Sequence, residues 1–300
     1  MKHRSAVALA GVLLMSIAFV FAQQDFTNAQ ITATRVKGNI YMLNGTGGNV
    51  GVSVGPDGIL IVDDKFAPLA EKIRTALKGV GGGKLKFILN THFHGDHTGG
   101  NQEFGPEAPI IAQTNVRTRL SSEQTRGGNT TPAAPRDAWP VITFDQSVSV
   151  HFNGEEIKAL HFPHGHTDGD SVIFFTGSNV VHMGDDFFAE RFPFVDLDSG
   201  GDVEGLVRNI GEVLRQVPSD VTLIPGHGPI SNLDDLKAYH QMLVETTGIV
   251  RQGVTSGKGL DQIKQEGFPE KWSSWGGGFI STERWIETIH RSLTRQAARK

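Results

Sequence analysis

Cysteine is absent from all 300 residues. Its absence excludes disulfides as staples and thiolates as metal ligands, and it suits a disulfide-free protein in an oxidising compartment. Positive charge is not in excess either: 28 Lys and Arg stand against 32 Asp and Glu, giving a net charge of −4. With no stripe of Lys and Arg, the chain lacks the electrostatic footprint of a nucleic-acid binder. Gly51-Val52-Ser53-Val54-Gly55 fits G-x-S-x-G, but it lies inside the strand-like run from Val50 to Val62 and not at the sharp strand-to-helix turn that presents a serine nucleophile in one large hydrolase class. No apolar run is a convincing bilayer span. Ala6 to Val20 is short for one and is followed by no charged stop. Lys2 and Arg4 precede it and Val20-Phe21-Ala22 closes it, the pattern of a secretory signal over residues 1–22. A cysteine for lipid attachment is missing at that exit. The mature chain is expected to start near Gln23, to keep no membrane span and to be exported, most simply to a bacterial periplasm. No interdomain linker interrupts residues 23–300, which read as one catalytic domain.

Histidine, by contrast, is concentrated where it is chemically useful. Thr91-His92-Phe93-His94-Gly95-Asp96-His97 places three imidazoles and a carboxylate directly after the strand-like Leu85–Asn90. Imidazole and carboxylate suit borderline divalent metals, zinc above all. His92 and His94, two apart in an extended turn, can face one ion. Gly95 lets the chain turn so that Asp96 and His97 aim at a second. Three further clusters end apolar runs in Gly-rich turns: His161-Phe162-Pro163-His164-Gly165-His166-Thr167, His182-Met183-Gly184-Asp185-Asp186, and Pro225-Gly226-His227-Gly228. Strand ends feeding loops are where sites are commonly built on a rigid scaffold.

H-x-H-x-D-H, G-H-T, G-D and G-H-G, in this order from about Val36 to His227 and beyond, resemble the metallo-β-lactamase superfamily. The resemblance implies an α/β (α+β) fold, the αββα sandwich of two mixed β-sheets flanked by helices, with metals at one sheet edge. It implies that His92, His94 and His166 hold a first ion, that Asp96, His97 and His227 hold a second, and that Asp185 bridges them. Asp63, at the end of Ile59-Leu60-Ile61-Val62, matches an aspartate that orients a ligand imidazole without binding metal. The implied activity is that of a dinuclear zinc hydrolase, with two Zn²⁺ per chain and a metal-bound hydroxide attacking a small ester, thioester, lactone or β-lactam. Asp96 has a second, catalytic role in that scheme: orienting the nucleophile and accepting a proton. Two alternatives stand beside it: a β-lactamase conferring antibiotic resistance, and a non-haem iron redox enzyme, since the same donors suit Fe or Mn. A bridging carboxylate is commoner among the wider hydrolases than among β-lactamases. No cysteine is present for the β-lactamase subclasses with a thiolate at the second metal. The residue after the bridging Asp region is Phe187 or Phe188 where acyl-lactone hydrolases carry tyrosine. The expected partner is a small-molecule substrate.

The remaining histidines read differently. His161 and His164 are surface or pocket-lining, His182 is a satisfied buried residue, and Asp186 points to the other side of an extended backbone from Asp185. Helices are expected over Ala67–Val80, Asn115–Glu123, Val203–Val217, Leu233–Val250 and Glu283–Ala298, with strands between. Gly127 to Pro140 is long enough to be a flap, which nominates Trp139 for the substrate pocket. Phe187, Phe188 and Arg191, in the aromatic run after Asp185, are nominated too; core packing is the competing reading for the phenylalanines. Trp272, Trp275 and Gly276-Gly277-Gly278-Phe279 form a similar late segment with no assigned role.

Overall fold

Alternation and unbroken apolar runs build two sheets. The computed structural model describes residues 25–126 and 128–297; the expected signal segment, residues 1–22, lies outside them. The first sheet holds β1 (Thr32–Lys37), β2 (Ile40–Asn44), β3 (Val50–Gly55), β4 (Gly58–Val62), β5 (Leu85–Leu89), β6 (Ile110–Gln113) and, after a separate ribbon of β7 (Gln124–Arg126) and β8 (Asn129–Thr131), β9 (Ile142–Phe144). Its first four strands are an antiparallel meander; from β4 onward the pairing is parallel. The second sheet runs β10 (Ser147–Phe152), β11 (Glu155–His161), β12 (Ser171–Phe175), β13 (Val180–His182), β14 (Thr222–Ile224) and β15 (Ser231–Asn232). Only its β13–β14 pair is parallel. β4, between antiparallel β3 and parallel β5 and covered on both faces, is apolar and buried throughout, whereas the edge strand β10 alternates Ser, Val, Ser, Val with exposure to match.

The sheets pack face to face. Ile40, Leu60, Val62, Leu89 and Ile111 from the first meet Ile157, Ile173, Phe175, Val180 and Ile224 from the second in one buried cluster. Parallel pairs need crossovers, and helices supply them. α1 (Ala70–Val80) joins β4 to β5 and buries Ile73 and Leu77 on the outer face of the first sheet. Short α2 (Gly95–Thr98), α3 (Asn101–Phe104) and α4 (Thr114–Leu120) follow, and α5 (Val203–Gln216) joins β13 to β14. α5 packs with α6 (Leu233–Thr255) and α8 (Thr282–Ala297) over the outer face of the second sheet, with α7 (Leu260–Glu266) beside them. α6 begins at a capping box, Asn232 accepting from Asp235 N–H while the Asp235 carboxylate accepts from Asn232 N–H. This is the αββα sandwich. No helix among the described residues is long and apolar enough to cross a membrane.

Two expectations change. The Gly127–Pro140 region is not wholly irregular: residues on either side of 127 pair as β7 and β8. Nor is it a free flap, because Asn101 Nδ2 donates to Ala138 O at 3.0 Å and Ala134 N to Leu120 O at 2.8 Å, fastening it to α3 and α4. Asp186 sits on a 3-10 turn, Gly184–Asp186, and not on extended backbone. That turn still carries its carboxylate away from Asp185.

Ile173, fully buried between the sheets, tests the architecture. Ile173→Ala is expected to cost about 2–5 kcal/mol of unfolding free energy in denaturant titration. A cost below about 1 kcal/mol would mean the two sheets do not share this core.

Candidate metal centre

The ends of β4, β5, β13 and β14, with the β11–β12 connection, converge on one edge of the sandwich. They deliver Asp63, then His92, His94, Asp96 and His97, then Asp185, His227 and His166. Two ligand sets result: His92, His94, His166 and Asp185, all buried, and Asp96, His97 and His227 beside them. In the first, His94 Nδ1 lies 3.1 Å from His92 Nε2 and 2.8 Å from His166 Nε2. Asp185 Oδ2 is 3.8 Å from His92 Nε2 and 3.5 Å from His166 Nε2. In the second, Asp96 Oδ2 lies 3.7 Å from His97 Nε2 and 3.2 Å from His227 Nε2. Asp185 Oδ1 is 3.0 Å and 3.4 Å from the same two nitrogens. One carboxylate therefore turns one oxygen to each set.

Four of the five imidazoles, those of His92, His94, His97 and His166, are held by their other nitrogen. Asp63 Oδ2 accepts from His97 Nδ1 at 2.7 Å; the same carboxylate takes Thr91 N–H at 2.8 Å and Thr91 O–H at 2.7 Å. Thr91 Oγ1 is in turn 3.0 Å from His92 Nδ1. Asp196 Oδ2 accepts from His94 Nε2 at 2.9 Å, and Phe194 O accepts from His166 Nδ1 at 2.8 Å. Such partners fix tautomer and ring angle, leaving a lone pair aimed inward. Asp63 adopts φ +65°, a conformation few non-glycine residues take, and so directs its carboxylate into the cluster. Glycine provides the room: a Cβ on Gly48 would collide with the His97 ring, and one on Gly226 with Asp185 Oδ1. Under the His166 turn, Asp170 takes Thr167 N–H at 2.7 Å and Asp186 takes His166 N–H at 3.3 Å. Burial raises both carboxyls, Asp170 to about 6 and Asp186 well above the usual range.

These donors fit a cation. Burial lowers the pKa of His92, His94 and His166, so the first set presents neutral imidazoles, the form a metal needs. In the second set burial opposes protonation, but the carboxylates win. Asp185, Asp96 and Asp63 hold His97 well above its ordinary value, and Asp185 and Asp96 raise His227 to about 9. Burial likewise pushes against ionisation of Asp96 and Asp185, and the histidines prevail, taking Asp96 to about 2 and Asp185 well below the carboxylate range. Without metal, protons on His97 and His227 thus supply the positive charge the carboxylates require. His97 Nε2 and Asp185 Oδ1 remain buried without a hydrogen-bond partner among the described residues: they are close but not aligned, as groups facing a common ion would be.

All seven ligand candidates and Asp63 are brought together. Of the pocket candidates, Phe188 and Arg191 line the cavity of about 480 Å³ that opens onto the cluster. Trp139 does not line it: its Nε1–H goes to Ala134 O and its ring lies under Arg117. Phe187 does not either. At 1% exposure it packs on Tyr239, because neighbours on extended backbone point to opposite sides, and it is Phe188 that stacks on His227. His182 is a satisfied core histidine, its ring bonding Asn49 O and Gly184 N–H, and His164 is exposed. Asp196, Asp170 and buried Lys65, whose ammonium donates to Gly48 O, had no signal in local sequence.

The two-sheet sandwich carries at its edge a His/Asp cluster with the donor set of a metal centre. A family model of the Metallo-beta-lactamase superfamily matches residues 33–240, and the chain belongs to that superfamily. It is 30% identical over 167 residues to a hydroxyacylglutathione hydrolase of Polaromonas sp. (strain JS666 / ATCC BAA-500), a match covering 55% of this chain and 57% of that protein. The chain thus spans little more than half of that relative's length. It is also 30% identical over 182 residues to a probable metallo-hydrolase of Bacillus subtilis (strain 168), covering 57% of this chain and 83% of that one. Among solved structures, a DIM-1 metallo-beta-lactamase superposes with a TM-score of 0.59 at 20% identity, covering 72% of this chain and 98% of that chain, a likeness of fold.

Two outcomes are expected. Asp63→Ala should weaken metal binding about 10–100-fold in a competition titration against a chromophoric chelator, with the fold kept; unchanged affinity would mean His97 needs no orienting partner. Because His227 holds a proton up to about pH 9 in the metal-free protein, a metal must displace it below that pH. Affinity at the second set should therefore climb as pH rises from 6 towards 9, up to about tenfold per unit for each proton displaced. A flat profile would contradict the assignment of that proton.

Proposed function

We propose that this chain is a dinuclear zinc hydrolase of small carbonyl compounds: esters, thioesters, lactones or β-lactams. The observation carrying the reading is Asp185, which offers one oxygen to each of two adjacent ligand sets. Zinc is favoured by a set made wholly of imidazole and carboxylate. Bound there, the metals would supply Lewis acidity, polarising a carbonyl and making water acidic enough to serve as a nucleophile near neutral pH. His92, His94, His166 and Asp185 would hold one ion, and Asp96, His97, His227 and Asp185 the other. Hydrolysis adds water to the acyl carbon, breaks the bond to the leaving oxygen, sulfur or nitrogen, and returns a proton to that atom. Asp96, ionised and half-exposed at the cavity floor, is placed to orient the water and take its proton. The names of the hydroxyacylglutathione hydrolases support a thioester or a related acyl group as the bond cleaved. Export belongs to the same proposal: Lys2 and Arg4, the short apolar run and Ala22 support cleavage before Gln23 and a periplasmic mature enzyme.

His94→Ala tests the reading. The variant should lose chelator-sensitive hydrolysis of a panel of thioesters, esters, lactones and β-lactams, and most bound zinc, while its circular dichroism stays native. A metal-replete, active variant would sink the assignment, and iron with colour in the wild-type protein would replace it with redox chemistry.

A further inference from the structure

His227 is the one ligand imidazole whose second nitrogen is bonded by none of the described residues. Its ring stacks on Phe188 at 14°, and its aim is set by the loop that carries it. That loop is gripped from far away in the chain. Asn49, 2% exposed, precedes β3. Its Nδ2 donates to Pro225 O and to Gly228 O, each at 2.9 Å, and its backbone N–H to Gly226 O at 2.7 Å. One residue thus takes three carbonyls around His227. Asn44 Nδ2 donates to Asn49 Oδ1 at 3.2 Å, which turns the amide nitrogen towards the loop. A primary amide is the side-chain group that offers two N–H donors and an acceptor on so short a stem.

The adjoining bonds reach the rest of the same ligand set. Gly48 N–H donates to Asp96 O at 3.1 Å, and a Cβ on Gly48 would stand 2.2 Å from His97 Cε1. Gly48 O accepts from the buried Lys65 ammonium. Asn49 O accepts from His182 Nε2 at 3.1 Å, and His182 Nδ1 takes the N–H of Gly184, beside Asp185, at 3.2 Å. Asp96, His97, Asp185 and His227 therefore all hang, directly or through one neighbour, from residues 48 and 49. Among the described residues, no hydrogen bond of these two reaches His92, His94 or His166.

We propose that Asn49 is the positioning residue of His227, and that it makes residues 48 and 49 the strap that sets the second ion's ligands separately from the first's. The inference rests on the two-ion reading. Asn49 does for His227, through the backbone on both sides of the ring, what Asp63, Thr91, Asp196 and the Phe194 carbonyl do for the other four rings directly. An apolar side chain at position 49 leaves Pro225 O and Gly228 O without their donor, and the loop is then free to move away from Asp96 and Asp185.

The test is a zinc titration of the metal-stripped protein against a chromophoric chelator, resolving the two ions. Asn49→Leu, close in size to asparagine, should weaken the second ion about 10–100-fold and leave the first as in wild type. Ile173→Ala, a core variant far from the strap, serves as the stability control and should keep the wild-type ratio of the two affinities. Two unchanged affinities in Asn49→Leu, an equal fall in both, or the same shifted ratio in Ile173→Ala would overturn the proposal while leaving the two-ion reading standing. If Asn49→Leu does not fold, Asn44→Ala decides: it frees the amide and should weaken the second ion alone, by roughly threefold. Equal affinities to wild type would then overturn the proposal. If wild type takes only one zinc, the two-ion reading fails and amide exchange in the metal-free protein decides. The Gly226 N–H, bonded to Gly184 O and Phe187 O, should exchange roughly tenfold faster in Asn49→Leu, with the amides of β12 unchanged. An unchanged Gly226 rate would end the proposal.

Discussion

One buried carboxylate organises the active edge. Asp185 is 5% exposed, yet it stays ionised because three imidazoles lean on it, two of them carrying protons when no metal is present. A carboxylate in that environment is tolerable only while positive charge surrounds it. Everything else at the edge follows from arranging that charge. Strands β13 and β14 run parallel so that Asp185 and His227 leave the sheet side by side. Gly226 allows the second loop to pass against the carboxylate. Asp63, Thr91, Asp196 and the Phe194 carbonyl turn the rings of His97, His92, His94 and His166 so that the free nitrogen of each faces inward. The sandwich is thus a frame that brings the two ligand sets within reach of one side chain.

The ligands were legible in sequence because few residue types coordinate metal and because they cluster where apolar strands end. Fold class was legible for the same reason: alternation in Ser147–Phe152 and unbroken burial in Gly58–Val62 reflect the layers they occupy. The supporting groups were not legible. His94 and Asp196 are 102 residues apart, so their bond has no local pattern. Asp170 and Asp186 are ordinary acidic residues until the fold buries them together under the His166 turn. Trp139 and Phe187 were misplaced for a related reason. Which of two adjacent phenylalanines faces the cluster follows from the 3-10 turn at Gly184–Asp186, whose Gly184 carbonyl accepts from the distant Gly226 N–H at 2.7 Å.

The ligand cluster and the cavity above it are supplied by different parts of the chain. The ligand cluster is held by the strand ends of the frame. The cavity over it is walled by Phe188, Arg191, Phe192 and Phe194 and by Phe279 and Ile280, which come from distant parts of the chain and meet only in the folded protein. Under the proposed hydrolase reading, loop composition, and not the ligand set, would carry the specificity.

The most direct test of the account is metal-edge anomalous diffraction from zinc-grown crystals of the mature protein. Two ions about 3.5–4 Å apart, with Asp185 contributing one oxygen to each, are expected. A single ion, or a pair that Asp185 does not touch, would contradict the claim that this carboxylate joins two ligand sets into one centre.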